Sequence, residues 1–248
     1  MPILFFIIVH WYTSLFFQTF FLHRYAAHKQ FTMSSTWEKV FYILSWLTQG
    51  FSSLSPNVYG KLHRMHHAYA DTEKDVHSPK YDKTLVNMML KTDKLFRAIK
   101  HGKIEVESRF CKNVPDWPFM EKYAYRLPAR LFWAVVYISI YYFIVPENSA
   151  WMWVFLPFHF IITAFQGVII NWYAHRIGYR NYERYDTSTN LMPFDLITMG
   201  EGYHNNHHAT PSDIKFSKKW YEWDLCYPFI IFFDLIGIIK LSKETKPQ

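Results

Sequence analysis

The sequence predicts an all-α integral membrane protein whose cytosolic helical cap holds a histidine-ligated two-metal site. Three observations lead there: long stretches free of Asp, Glu, Lys and Arg, basic polar segments around them, and tight histidine clusters beside their ends. Half of the 248 residues are apolar and a fifth aromatic, yet the mean hydropathy is −0.11. That balance fits apolar spans joined to a substantial polar cap.

Charge-free runs cover residues 2–22, 40–60, 131–146 and 148–174. A helix rises about 1.5 Å per residue, so about 20 residues cross a ~30 Å hydrocarbon core. Spans are therefore expected at about 3–22, 131–146 and 150–172, the second of them with residues 128–130 at the interface. Residues 2–22 lack a cationic leader and a small-residue cleavage site, and read as a retained span, not a removable signal. The run 40–60 carries Ser45, Thr48, Gln49, Ser52, Ser53, Ser55 and Asn57, and reads as an interfacial or cap-buried helix.

Eight of the thirteen histidines fall in three boxes: His23 and His28 in H-x-x-x-x-H, His63, His66 and His67 in H-x-x-H-H, and His204, His207 and His208 in a second H-x-x-H-H. On a helix, steps of three and four residues share a face, so each H-x-x-H-H box is expected to converge. A five-residue step is about 140° on an α-helix, so His23 and His28 meet only where the helix ends or bends. Asn171 and His175 form another same-face pair, candidates for an amide ligand and a ninth imidazole. Imidazole serves zinc, copper, iron and nickel alike, and eight are too many for one ion. Two ions are the natural count. His10, His77, His101 and His159 read as surface or internally satisfied groups.

To share a site the boxes must lie on one side of the membrane, which forbids 40–60 from crossing. Lys and Arg agree with that: residues 23–130 are basic, 146–150 have none, and 176 onward is basic again. This places the boxes and the C-terminus in the cytoplasm and the N-terminus outside. The same tendency accounts for the net charge of +7, with no nucleic acid implied. Cys111 and Cys226 fit packing roles, since two cytosolic cysteines make neither a disulfide framework nor a zinc-thiolate site.

Residues 71–130 read as polar and mostly helical, broken at Ser78-Pro79, Gly102 and Pro115-Asp116-Trp117-Pro118. No repeat or linker appears, so 1–248 reads as one unit, with the cap formed by 23–129 and 173–248. The run Asp71-Thr72-Glu73-Lys74-Asp75 reads first as solvated charge, and only second as a source of carboxylates that orient imidazoles. Glu201 is better placed for that task. Lys61, Arg64, Arg176, Lys215, Lys218 and Lys219 flank the boxes and offer contacts for phosphates.

With the stretch from His63 through Pro79, the pair Asn171 and His175, and the run from Gly200 through Pro211, the three boxes resemble those of membrane-bound fatty acid desaturases. The chain is most similar to the acyl-CoA desaturase branch, including bacterial members. The resemblance covers nearly the whole chain. It implies a di-iron centre held by His23, His28, His63, His66, His67, His175, His204, His207 and His208, with Asn171 contributing through water. It also implies four spans in two hairpins against the three read here, the partner of the first hairpin being absent. The implied activity is the dioxygen-dependent insertion of a cis double bond, at the ninth carbon, into a long-chain acyl-CoA at the cytoplasmic side of a bacterial inner membrane. No haem or flavin motif is visible, so the electron donor is expected to be separate, a ferredoxin or a b-type cytochrome. The competing readings are an acyl-lipid desaturase, a hydroxylase or ketolase with the same boxes and, more remotely, a metal transporter.

Overall fold

Three helices are long and apolar enough to cross a membrane: Pro2–Ala27, Leu127–Ile144 and Glu147–His175. The chain is described here by a computed structural model covering residues 2–241; residues 242–248 of the expected cap lie outside the described residues. In order, α1 (Pro2–Phe17) runs into a π-helix (Gln18–Ala27), followed by β1 (Phe31–Met33), α2 (Ser35–Gln49), α3 (Pro56–Tyr69) and α4 (Leu85–Lys100). Two short helices, α5 (Ser108–Cys111) and α6 (Pro118–Tyr123), lead to α7 (Leu127–Ile144). A 3-10 segment (Glu147–Phe155) enters α8 (Leu156–Asn171), and a 3-10 turn (Tyr173–His175) leaves it. The chain continues with α9 (His204–Ala209), α10 (Tyr227–Leu235) and β2 (Ile239–Leu241).

The run 40–60 supplies no further helix of crossing length among the described residues. Ser34 opens α2 by accepting the Trp37 N–H at 3.3 Å, and Gly50 ends it at φ +57°. A side chain at Gly50 would be strained there and would run into the Tyr137 hydroxyl. Ser55 then caps α3 by accepting the Val58 N–H at 3.1 Å, with Pro56 in the first turn, where its missing N–H costs nothing. Helix α3 packs against the π-helix so closely that a Cβ on Gly60 would lie 2.9 Å from the Ala26 carbonyl oxygen. That approach brings the second histidine box beside the first.

Two expectations are corrected. Residues 71–130 contain one long helix, α4, with turns and loops on both sides. The Asp75 carboxylate accepts the backbone N–H groups of Asp71 (2.8 Å) and His77 (3.1 Å), which compete with helix formation, and Pro79 and Pro115 add breaks. Nor is the chain purely α. Strands β1 and β2 pair antiparallel, with Phe31 opposite Leu241 and Met33 opposite Ile239. The pair places the buried Phe31 on an aromatic core behind the π-helix, where its ring centroid lies 4.9 Å from that of Phe20, itself 5.0 Å from Phe41.

Candidate metal centre

The first box meets through a change of helix type. The π-helix bonds residue i to i+5, and the His28 N–H donates to the His23 carbonyl at 3.1 Å. A five-residue step that would diverge on an α-helix therefore brings the two rings together, with centroids 4.9 Å apart and planes tilted by 59°, and the helix ends at His28. The expected terminus is present, and the π turn is the additional device. His63, His66 and His67 project from α3, His204, His207 and His208 from α9, and His175 from the turn after α8.

Nine imidazoles form two groups that can each hold a metal ion. His23, His28, His63, His67 and His207 present ring nitrogens within 4.8 Å of one another, and so do His66, His175, His204 and His208. Each H-x-x-H-H box is therefore divided between the groups, which corrects the expectation that its three rings converge on one point. The reason is the helix itself. Rings three and four residues from the first lie on either side of it, so a helix edge laid between two centres serves both.

Within the larger group the Nε2 atoms of His63 and His67 are 2.9 Å apart, those of His67 and His207 3.0 Å, and those of His207 and His23 2.9 Å. In the smaller group the Nε2 atoms of His175 and His204 are 3.0 Å apart. Nitrogens about 2.1 Å from one ion stand about 3.0 Å apart in an octahedron and about 3.4 Å in a tetrahedron. Separations of 2.9–3.0 Å suit ligands of one ion and equally suit hydrogen bonds between neighbouring rings. The Nε2 atoms of His28, His66 and His208 are buried without a hydrogen-bond partner, as free ligand lone pairs require. Burial, followed by mutual crowding and nearby cations, pushes His28, His63, His67, His204, His207 and His208 well below the usual histidine range. These rings are neutral, the form that binds metal.

Buried carboxylates stand behind four of the rings. Glu201 Oε2 lies 2.6 Å from His23 Nδ1, and His66 Nδ1–H donates to Asp75 at 2.9 Å. Asp186 lies 3.3 Å from His208 Nδ1 and Asp71 3.4 Å from His175 Nδ1. A carboxylate on Nδ1 fixes the tautomer and aims Nε2. Burial alone would raise Asp71, Asp75 and Glu201, but hydrogen bonds and the facing imidazoles hold all three below the usual carboxylate range. The reading of 71–75 as solvated charge is thus corrected at its two ends, where Asp71 and Asp75 are buried, and stands for the exposed Glu73 and Lys74. Asp186 is missed by sequence reasoning. It sits 22 positions before His208 in an irregular loop, and no spacing marks it.

Other residues fall as follows. Asn171 closes α8 and lines a cavity of about 1110 Å³ together with His63, His77 and Glu201. His77 is buried, its ring stacks on His66 at 4.4 Å, and neither of its nitrogens has a hydrogen-bond partner. It is neither a surface nor a satisfied core group. His101 is exposed, as expected. Arg64 and Arg176 are committed to backbone carbonyls, of Ala27 at 2.6 Å and Pro79 at 3.0 Å, and Lys218 pairs with Asp213. Arg97, Lys100, Lys122, Arg126 and Arg130 line the cavity instead, together with the acids Asp93 and Glu121, while Phe51, Phe160, Ile161 and Ala164 form apolar wall.

Known proteins are similar to this sequence over most of its length. The Delta-9 desaturase-like 4 protein of Arabidopsis thaliana is 28% identical over 243 residues, covering 93% of this chain and 74% of the relative. The sn-1 stearoyl-lipid 9-desaturase of Anabaena variabilis is 26% identical over 250 residues, 97% of this chain and 84% of the relative. The icosanoyl-CoA 5-desaturase of Limnanthes douglasii is 30% identical over 231 residues, 91% of this chain and 61% of the relative. The family model for fatty acid desaturase matches residues 1–230, a stretch that holds all three candidate spans, all nine clustered histidines and the four carboxylates behind them. By that match the chain belongs to the fatty acid desaturase family.

Proposed function

We propose that residues 1–248 act as one membrane-embedded oxidoreductase that places a double bond in a long-chain acyl group, with two irons held by the nine clustered histidines and Asn171 beside them. One observation carries the reading: nine imidazoles, seven of them buried and those of His28 and His67 partly buried, converge in two groups, and His63 of the larger group lines an acyl-sized cavity. The donor set fits iron. All nine histidines offer ring nitrogens, nine are more than two four-coordinate zinc sites need, and the unpartnered Nε2 atoms of His28, His66 and His208 supply lone pairs. When bound, the two irons supply the activation of dioxygen that an unactivated C–H bond requires, chemistry closed to redox-inert zinc. In balance, one CH2–CH2 pair, one dioxygen, two electrons and two protons give one CH=CH and two waters. The electrons come from a separate donor, a ferredoxin or a b-type cytochrome.

The protein's own work is positioning. Glu201, Asp75, Asp71 and Asp186 stand against Nδ1 of His23, His66, His175 and His208, which leaves Nε2 of each ring to face its group. Phe51, Phe160, Ile161 and Ala164 keep part of the cavity dry for a methylene chain. A volume of about 1110 Å³ exceeds the ~300–1,000 Å³ of ordinary small-ligand sites, as a long chain with part of its carrier requires.

The cations favour a thioester of coenzyme A over an acyl lipid. Burial together with Arg130 and Arg126 pushes Lys100 down to about 8, although Glu121 opposes the shift, so an anion there relieves crowded positive charge. The acyl-lipid reading remains the second one, favoured by the name of the Anabaena relative. Insertion at the ninth carbon, with the centre facing the cytoplasm, follows the names of two relatives and the Lys/Arg bias.

The test is the acyl profile of a host expressing the wild type or His67→Ala, with double-bond positions read by mass spectrometry. A new double bond with the wild type alone supports the proposal and fixes the position. A hydroxylated chain would move the reading to oxygen insertion, and identical profiles with iron-free purified protein would reject it.

A further inference from the structure

The carboxylates are shared unequally between the two histidine groups. In the group of four, three rings face a buried acid: His66 with Asp75 at 2.9 Å, His208 with Asp186 at 3.3 Å and His175 with Asp71 at 3.4 Å. In the group of five, among the described residues, His23 alone does, with Glu201 at 2.6 Å.

The charges around these acids widen the contrast. Glu201 has the guanidinium of Arg24 3.5 Å away, an arginine whose other arm bonds Asp224 at 2.7 Å, and Arg64 reaches the carbonyl of Ala27, next to His28, at 2.6 Å. Behind the smaller group, Asp186 meets Arg184 at 2.9 Å. Asp71 is held by neutral donors, the Ser78 hydroxyl at 2.5 Å and the Thr187 hydroxyl at 2.7 Å, and Asp75 by backbone N–H groups. Anions dominate behind four rings and cations soften the field behind five.

A carboxylate on the outer N–H makes a metal-bound imidazole a stronger donor. In a buried site, fixed negative charge also favours the more highly charged ion. We propose that the two irons are inequivalent: the one held by His66, His175, His204 and His208 has the lower reduction potential, is oxidised first, and owes this to Asp71, Asp75 and Asp186. The three acids act through the imidazoles as positioning residues. The inference rests on the two-iron reading above.

The experiment is an anaerobic redox titration, followed by Mössbauer spectroscopy, of the full chain purified with two equivalents of iron-57. The wild type should pass through a half-oxidised form with one ferric and one ferrous site. Asp186→Asn should raise the lower potential by about tenfold in equilibrium constant, about 59 mV for one electron, and leave the higher one in place. Glu201→Gln should raise the higher one. Asp75→Asn is the second variant for the lower potential if Asp186→Asn loses metal. Two irons that oxidise at a single potential would overturn the inequivalence alone, and so would Asp186→Asn or Asp75→Asn shifting the higher couple. Fewer than two irons per wild-type chain would overturn the two-iron reading and the inequivalence with it.

Discussion

Two assemblies of buried histidines lie in this molecule, and they are built on opposite principles. Between the candidate spans, His10 and His159 face each other with Nδ1 atoms 2.7 Å apart. Tyr137 lies 3.4 Å from His10 Nε2, and Tyr141 3.0 Å from His159 Nε2. The Phe51 N–H donates to the Tyr137 hydroxyl at 3.3 Å, and the Phe6 ring stacks on His159 at 4.5 Å. All four ring nitrogens of this pair have partners inside the tetrad, so the arrangement is closed. In the nine-histidine centre the Nε2 atoms of His28, His66 and His208 have no hydrogen-bond partner, while acids occupy the backs of four rings. Burial and proximity are common to both assemblies. What separates a candidate metal centre from a structural knot is convergent lone pairs with carboxylates behind them.

That contrast can be broken most forcefully at a ring that bridges the larger group. His207 contacts both His23 and His67 through Nε2. His207→Ala should lower product by more than about 100-fold and reduce bound iron, measured by acyl profiling and metal analysis of the same preparation. Retention of both would remove His207 from the centre.

Asp75→Ala is the next step down. Losing the acceptor behind His66 should weaken metal affinity or activity by about 10–100-fold, with the protein still inserted in the membrane. Competition with a chelator gives the affinity, and an unchanged value would reduce Asp75 to a loop-folding residue.

The closed tetrad should answer differently. His159→Phe leaves the buried polar atoms of His10 and Tyr141 without partners, at a cost of about 1–3 kcal/mol in stability. Thermal unfolding in detergent should show that loss while iron per chain stays at the wild-type value. A drop in iron would make the two assemblies one system. Smallest of all, His101→Ala, at the exposed rim of the cavity, should leave iron content unchanged and stability within about 0.5 kcal/mol.

The spans and the boxes were legible because both obey simple rules. Apolar length sets crossing, and H-x-x-H-H sets a helical face. His175 and Asn171 needed the family resemblance, since a lone pair at the end of an apolar run has several explanations. The π turn was not legible, because an i to i+5 ladder leaves no periodic mark in ten residues of mixed polarity. The division of each box between two groups depends on where α3 and α9 lie relative to one another, which no local spacing encodes. Asp71 and Asp75 sit in a run that composition assigns to solvent, and tertiary contacts draw them inward, Asp75 against His66 and Asp71 against Thr187. Asp71 accepts from Thr187 across 116 positions of sequence.

Because each group takes rings from distant parts of the chain, the order of synthesis constrains its loading. A nascent chain that has reached residue 200 already carries His23, His28, His63, His66, His67 and His175, yet neither group is complete until α9 has been made. At about 5–20 residues per second, His23 waits roughly 9–37 s for the last three rings and His175 only about 2–7 s. Helix α9 has six residues and gains its order from outside, through Asn206, which bonds the Phe216 carbonyl and Glu222, each at 2.9 Å. A polypeptide stalled before Glu222 would therefore present a metal with ligands but no finished place to stay.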